Sequence, residues 1–211
     1  DETNQKYYFT DRLARAAGGG AGAETKTPHV WIGDWNLKFT PQNQVFTARG
    51  KSHDGGQIFG LQLQVTPRKA PVIHGENGIS QKSEGRGRAS HYYSFTRLDT
   101  RGAIEVGDEK IAVTGESWFD KEFGSNQLAK NQVGWDWFSL QLGDGRELML
   151  YQMRLRAGGV DPYSSGTIVE KDGRSRHLKR DDFRIVSTRN WKSPATSANY
   201  PVAWRVELPR E

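Results

Sequence analysis

Four apolar residues at alternate positions, Phe59, Leu61, Leu63 and Val65, are interleaved with Ile58, Gly60, Gln62 and Gln64. A step of two sends successive side chains to opposite faces of an extended chain, so this period belongs to a strand with one greasy face and not to a helix. Val202, Trp204, Val206 and Leu208 repeat it against Ala203, Arg205 and Glu207. Trp31, Trp35, Leu37 and Phe39 share a face in the segment starting at Val30. Met149, Tyr151, Met153 and Leu155 share another, and Leu148 with Leu150 make its opposite face apolar too. Such a chain is constrained to an all-β fold.

The turns agree with the strands. Gly143-Asp144-Gly145 separates residues 135–142 from 146–156, and Lys171-Asp172-Gly173 separates 167–170 from 175–178. Both read as antiparallel hairpins with short glycine loops. The spacing of turn signals predicts about eight to ten strands in a sandwich or barrel, with helix under about a fifth of the chain. Residues 11–17 could form two helical turns ending at Gly18, and Gly18-Gly19-Gly20-Ala21-Gly22-Ala23 reads as a flexible loop. Residues 68–90 and 117–133 read as long connections. Trp35, Phe59, Leu61, Leu63, Leu148, Leu150 and Trp204 are the expected core.

Composition narrows the function. With 35% hydrophobic and 11% aromatic residues, the 211-residue chain has enough apolar surface to fold as one domain, or two small ones. No run approaches the ~20 apolar residues of a membrane span. The absence of Cys removes disulfide scaffolds, thiolate metal sites and cysteine nucleophiles without fixing the compartment. The chain opens on Asp1 and carries no signal-peptide pattern. The net charge of +5 is dispersed, and its densest basic stretch, residues 174–180, runs directly into Asp181 and Asp182. That is a solvated hairpin edge and not the one-signed stripe of a nucleic-acid footprint, so no nucleic-acid partner is expected. The five His, at 29, 53, 74, 91 and 177, form no ligand-spaced pair, and neither a metal nor a cofactor is expected. No Gly-x-Gly-x-x-Gly opens a helix and no Gly-x-Ser-x-Gly elbow occurs.

The chemistry-bearing stretch is Gly115-Glu116-Ser117-Trp118-Phe119-Asp120-Lys121-Glu122-Phe123-Gly124, followed by Gly134-Trp135-Asp136-Trp137-Phe138. If it is extended, Asp120 and Glu122 share a face. Carboxylates woven among so many rings are costly to bury unless paired, which suits the polar spot of an apolar pocket. The alternative is that the rings fill the core while Asp120 caps a turn.

These blocks, together with Ile73-His74-Gly75-Glu76-Asn77-Gly78-Ile79-Ser80-Gln81-Lys82, Ser90-His91-Tyr92-Tyr93-Ser94-Phe95-Thr96-Arg97-Leu98 and Trp191-Lys192-Ser193-Pro194, resemble the AttH-like family related to carotenoid 1,2-hydratase (hydroxyneurosporene synthase). The similarity runs from about Lys6 to Trp204. It implies an antiparallel lipocalin-like β-barrel or sandwich. It also implies that residues 1–211 are one N-terminal lipocalin-like domain, partnered by a second such domain in a longer bacterial chain. Members often carry the label of predicted secreted hydrolase, which favours a secreted or periplasmic location. The wider fold includes cyclases that act on polyenes.

Two function classes follow. In the first, which the departures below favour, the domain binds an apolar, isoprenoid- or lipid-like ligand without reaction. In the second, it is a hydratase- or cyclase-type enzyme on a polyene or isoprenoid. Asp120 is then the catalytic acid, and Trp118, Phe123, Trp135, Trp137, Tyr151 and Tyr93 contact the ligand. The family pattern Asp-His-x-Trp-Gly, whose His and Trp are implicated in catalysis, is here Asp120-Lys121-Glu122-Phe123-Gly124. An exposed Lys is a poor acid for protonating carbon, and Phe faces a cation more weakly than Trp. Acid chemistry would fall to Asp120, kept protonated by burial.

Overall fold

The computed structural model describes residues 8–16, 18–40, 44–51, 57–124 and 128–209, so Ala17 and His53 lie outside the described residues. Among the described residues strands dominate, every paired register is antiparallel, and the helical content is a single 3-10 turn, Arg180–Asp182. Among the described residues there are fifteen strands, more than the turn spacing predicted. Residues 11–16 are not helical, and the glycine-rich stretch expected to be a loop contributes strand β1, Ala21–Glu24. No helix of the described residues is long and apolar enough to cross a membrane.

The chain divides into two compact units. Unit 1 comprises Asp1–Arg68 and Arg97–Ser117. It holds β1, β2 (His29–Ile32), β3 (Trp35–Phe39), β4 (Gln44–Lys51) and β5 (Ile58–Pro67), joined in that order. The β5 strand then pairs with the later part of β8 (Ala89–Val106), from Phe59↔Val106 to Pro67↔Leu98. Gly107 and Asp108 turn the chain from β8 into β9 (Glu109–Phe123), with Gly107 at φ 62°, as tight hairpins require. Core in this unit is thin. Val65 and Leu98 are buried, Trp35, Phe59 and Leu63 are half-buried, and Leu61 is exposed, contrary to expectation. Alternation selects a face, but only a packed layer on that face buries it.

Unit 2 comprises Lys69–Thr96 and Trp118–Glu211. Its centre is β11, Glu147–Leu155, flanked by β10 (Gln132–Gln141) and β12 (Ser165–Val169), with β13 (Ser175–Leu178) beyond. Both faces of β11 are apolar in sequence, and both are buried. Leu148 and Leu150 pack with Ile168, Leu178, Phe183 and Ile185 on one side. Met149, Tyr151 and Met153 pack with Tyr92 and Trp118 on the other. Gly166 of β12 lies where a Cβ would stand 2.4 Å from Leu150 Cδ2 and 2.5 Å from the Met149 carbonyl oxygen, so only glycine fits the strand there. The two expected hairpins form around Gly145 and Gly173, at φ 88° and 89°. Each uses the same device. Asp144 accepts from the Arg146 backbone at 3.0 Å and side chain at 2.9 Å, and Asp172 does likewise with Arg174 at 3.0 and 2.7 Å. These bonds hold both carboxyls below the usual range.

Residues 68–90 include two short strands, β6 (Val72–Ile73) and β7 (Ser80–Gln81), both paired with the first part of β8. The supposed connection 117–133 is strand up to Phe123, and β10 begins at Gln132. Near the end, β14 (Arg184–Lys192) and β15 (Asn199–Glu207) form a ribbon. Trp204 on β15 is 39% exposed and meets Phe138 edge-on at 5.5 Å, which corrects its expected burial. A two-stranded ribbon covers only one side of each residue.

Candidate functional site

Two strand faces in unit 2 build the site. Along β8, Ser90, Tyr92, Ser94 and Thr96 are buried while His91, Tyr93 and Phe95 are not, the period of two expected of a strand. Along β9, Trp118, Asp120 and Glu122 share the face that meets this row, so Asp120 sits within a strand and caps no turn.

Three donors converge on Asp120 Oδ1: the Tyr92 hydroxyl at 3.0 Å, the Trp118 indole N–H at 2.8 Å, and the Ser94 hydroxyl. Among the described residues no donor reaches Oδ2. The Tyr92 hydroxyl in turn accepts from the Trp137 indole at 3.1 Å. Burial, and then the charge of Asp120, push the Tyr92 phenol above its ordinary range, so it stays a hydrogen-bond donor.

Behind Ser94 stands His74, wholly buried, with Nε2 2.7 Å from Ser94 Oγ and Nδ1 2.8 Å from Thr167 Oγ1. Ser94 has one hydroxyl proton and donates it to Asp120, so His74 Nε2–H donates to Ser94 and Nδ1 accepts from Thr167. Burial, with smaller contributions from Lys82 and His177, lowers the His74 pKa to about 3 and keeps the ring neutral.

Next to this network lies a narrow cleft with a cavity volume of only about 30 Å³, lined by Lys82, Tyr92, Glu122, Trp135, Trp137 and Tyr151. Lys82 is 5% exposed. Its Nζ lies 2.8 Å from Glu122 Oε1, 3.8 Å from the centre of the Tyr151 ring and 5.4 Å from that of Tyr92. Ser90 donates to the same Glu122 oxygen. The Tyr151 hydroxyl is fixed by Ser165 at 2.7 Å, with Ser80 and the Gln81 carbonyl each at 3.2 Å, so the cleft receives its ring and not its proton.

Of the residues the sequence pointed to, the structure brings Asp120, Trp118, Trp135, Trp137 and Tyr151 to this network and cleft. Tyr93 does not line it and packs with Phe95 and Phe119. Phe123, half exposed, lies against His91. Lys121 is exposed, one residue out of phase with Asp120. Sequence reasoning passed over Tyr92, Ser94, His74 and Lys82 as site residues. The alternation of Ser90, Tyr92, Ser94 and Thr96 was a signal for the first two, because small hydroxyls at every second place of an aromatic strand mark a polar inner face. No group of three His, Asp or Glu side chains suited to a metal occurs among the described residues. In the basic stretch, Arg174 pairs with Asp172 and Lys179 with Glu76.

The AttH-like family model matches residues 1–211. The chain belongs to the AttH-like family. An AttH protein of Nitrosomonas europaea has the same fold, with a TM-score of 0.77 and 33% identity over 88% of this chain and 56% of that one. Kievitone hydratase from Nectria haematococca superposes with a TM-score of 0.64 at 16% identity, over 89% of this chain and 57% of its own, a likeness of fold alone. The dehydratase asqC of Emericella nidulans is 25% identical over 170 residues, 77% of this chain and 46% of that protein. The chain thus spans about half the length of these relatives.

Proposed function

We propose that this AttH-like chain carries a hydratase- or dehydratase-type site, with Asp120 as the group that exchanges a proton with an apolar substrate. The observation that carries the reading is the convergence of Tyr92, Ser94 and Trp118 on one oxygen of Asp120 beside an aromatic cleft. Removing water from an alcohol requires a proton for the departing hydroxyl and a base for the neighbouring C–H, and adding water reverses both. A carboxyl group fixed through Oδ1 is free to use Oδ2 for each step in turn. The neutral His74 and the phenol of Tyr92 keep their protons and hold the carboxyl in place. The cleft is narrow, so it takes the reacting end of a substrate while the apolar remainder lies over the exposed faces of Trp135 and Trp137. Hydratase and dehydratase names among the relatives support this class of reaction over simple carriage of a ligand.

The test is Asp120→Asn, which keeps the shape and the bonds to Oδ1 but removes the titrating proton. With a substrate found by screening apolar alcohols and alkenes, the variant should keep its far-ultraviolet spectrum and its ligand affinity while turnover falls by a factor of about 10² or more. Full turnover in a folded variant would end the role of Asp120. A wild-type chain that binds the ligand and never transforms it would mark a carrier.

A further inference from the structure

The cleft contains a cation that a carbocation pathway does not call for. Lys82 is buried and its ammonium has three N–H groups. Among the described residues it has one oxygen acceptor, Glu122 Oε1, and it lies over the faces of Tyr151 and Tyr92. A fixed positive charge therefore already occupies two of the four ring faces that line the cleft, those of Tyr151 and Tyr92 and not those of Trp135 and Trp137. The partner carboxylate is the more exposed member of the pair, with 28% of its side chain accessible against 7% for Lys82. Two carboxylates, Asp120 and Glu122, supply acid–base capacity, and Lys82 still has donor capacity for an oxygen that gains negative charge.

We propose that the substrate's reacting bond is conjugated to a carbonyl, so that the reaction interconverts a β-hydroxy carbonyl compound and an α,β-unsaturated carbonyl plus water, with Lys82 Nζ donating to the carbonyl oxygen. The proposal rests on the hydratase-type reading of Asp120 for the proton transfers. In the elimination, the α C–H proton passes to Asp120 and its electron pair forms an enolate whose oxygen faces Lys82. Return of that charge forms the carbon–carbon double bond and breaks the β C–OH bond. The departing hydroxyl takes the proton back from Asp120 and leaves as water. One alcohol gives one enone and one water, Lys82 keeps its protons, and nothing is oxidised or reduced. An isolated isoprenoid alkene has no oxygen to take up the donor capacity of Lys82.

Binding to the full chain tests this without requiring turnover. Two probes with matched phenyl groups are compared by titration calorimetry: benzylideneacetone, an enone, and phenethyltrimethylammonium, a fixed cation. The wild-type chain should bind the enone about tenfold more tightly than the cation or better, as expected for a hydrogen bond from a charged donor. In Lys82→Met, checked for folding by circular dichroism, the enone should lose about tenfold in affinity and the cation should lose none. Tighter binding of the cation by the wild type, no binding of the enone, or an unchanged enone affinity in folded Lys82→Met would each overturn the proposal. If Lys82→Met does not fold, the wild-type comparison still decides. Asp120→Asn bears on turnover alone, so carbonyl recognition and the hydratase reading can fail separately.

Discussion

Acidification from pH 7 to pH 5 should destabilise this protein chiefly through one buried imidazole. His74 is wholly buried, with a pKa lowered from 6.5 to about 3 by desolvation first and by Lys82 and His177 second. A depressed His contributes its full stability above the unfolded value and loses it as the pH falls, because the unfolded chain then binds a proton that the folded chain refuses. At pH 5 the unfolded chain holds almost a whole proton at this position, against about a quarter of one at pH 7. At about 1.4 kcal/mol per pH unit below 6.5, that amounts to about 2 kcal/mol. His177 is shifted in the same direction by burial and adds to the slope. The lowered carboxyls of Glu76, Asp99, Asp144 and Asp172 act mainly below this window, because they stay largely ionised in both states down to pH 5. Urea unfolding at the two pH values, followed by tryptophan fluorescence, reads the effect in the wild type and in His74→Gln. The variant starts less stable because Ser94 and Thr167 lose partners, but its loss between the two pH values should be smaller by about 2 kcal/mol. Equal losses in the two proteins would refute the reasoning.

Three further outcomes concern unit 2. Lys69→Met removes the cation 2.7 Å from Glu147, a carboxylate with no exposure, and also the donor to the Gly145 and Glu170 carbonyls. A loss of about 3–5 kcal/mol is expected in urea unfolding, and a loss below about 1 kcal/mol would show that water compensates the carboxylate. Gly166→Ala forces a methyl against Leu150 and the Met149 carbonyl and should cost about 1–3 kcal/mol by thermal melting. Gly143→Ala meets nothing within 4 Å and should stay within about 0.5 kcal/mol of the wild type.

The strand period was enough to place β11, because a segment apolar on both faces has to be central, and Leu150 and Met149 are indeed its most buried apolar residues. The hairpins at Asp144 and Asp172 were equally legible, since an Asp-Gly turn between strands leaves few alternatives. The stretch up to Phe123 was misread as a connection because one face of β9 is charged, and local composition cannot tell a polar strand face from a loop. Parity was available and would have sorted the site. Once Asp120 points inward with Trp118 and Glu122, Lys121 and Phe123 have to point away, and Tyr92, not Tyr93, belongs with Ser94. Lys82 was not legible. It follows two short strands in a stretch rich in charge and glycine, and only the rings and the carboxylate gathered around it in three dimensions show that it is buried. The exposures of Leu61 and Trp204 were beyond the sequence for a related reason, since alternation reports which face is greasy and not whether anything covers it.

The central claim, that Asp120 moves a proton as water is lost or added, is tested most directly by oxygen exchange. The wild-type chain and Asp120→Asn are incubated in heavy-oxygen water with linalool, or with the β-hydroxy ketone formed from benzaldehyde and acetone, and the recovered alcohol is analysed by mass spectrometry. Reversible loss of water replaces the hydroxyl oxygen with solvent oxygen. The wild type should therefore label the hydroxyl of at least the β-hydroxy ketone well above the protein-free rate, and the folded Asp120→Asn protein should not. Labelling at the protein-free rate with the wild type, or equal labelling by both proteins, would contradict the assignment of hydratase chemistry to Asp120.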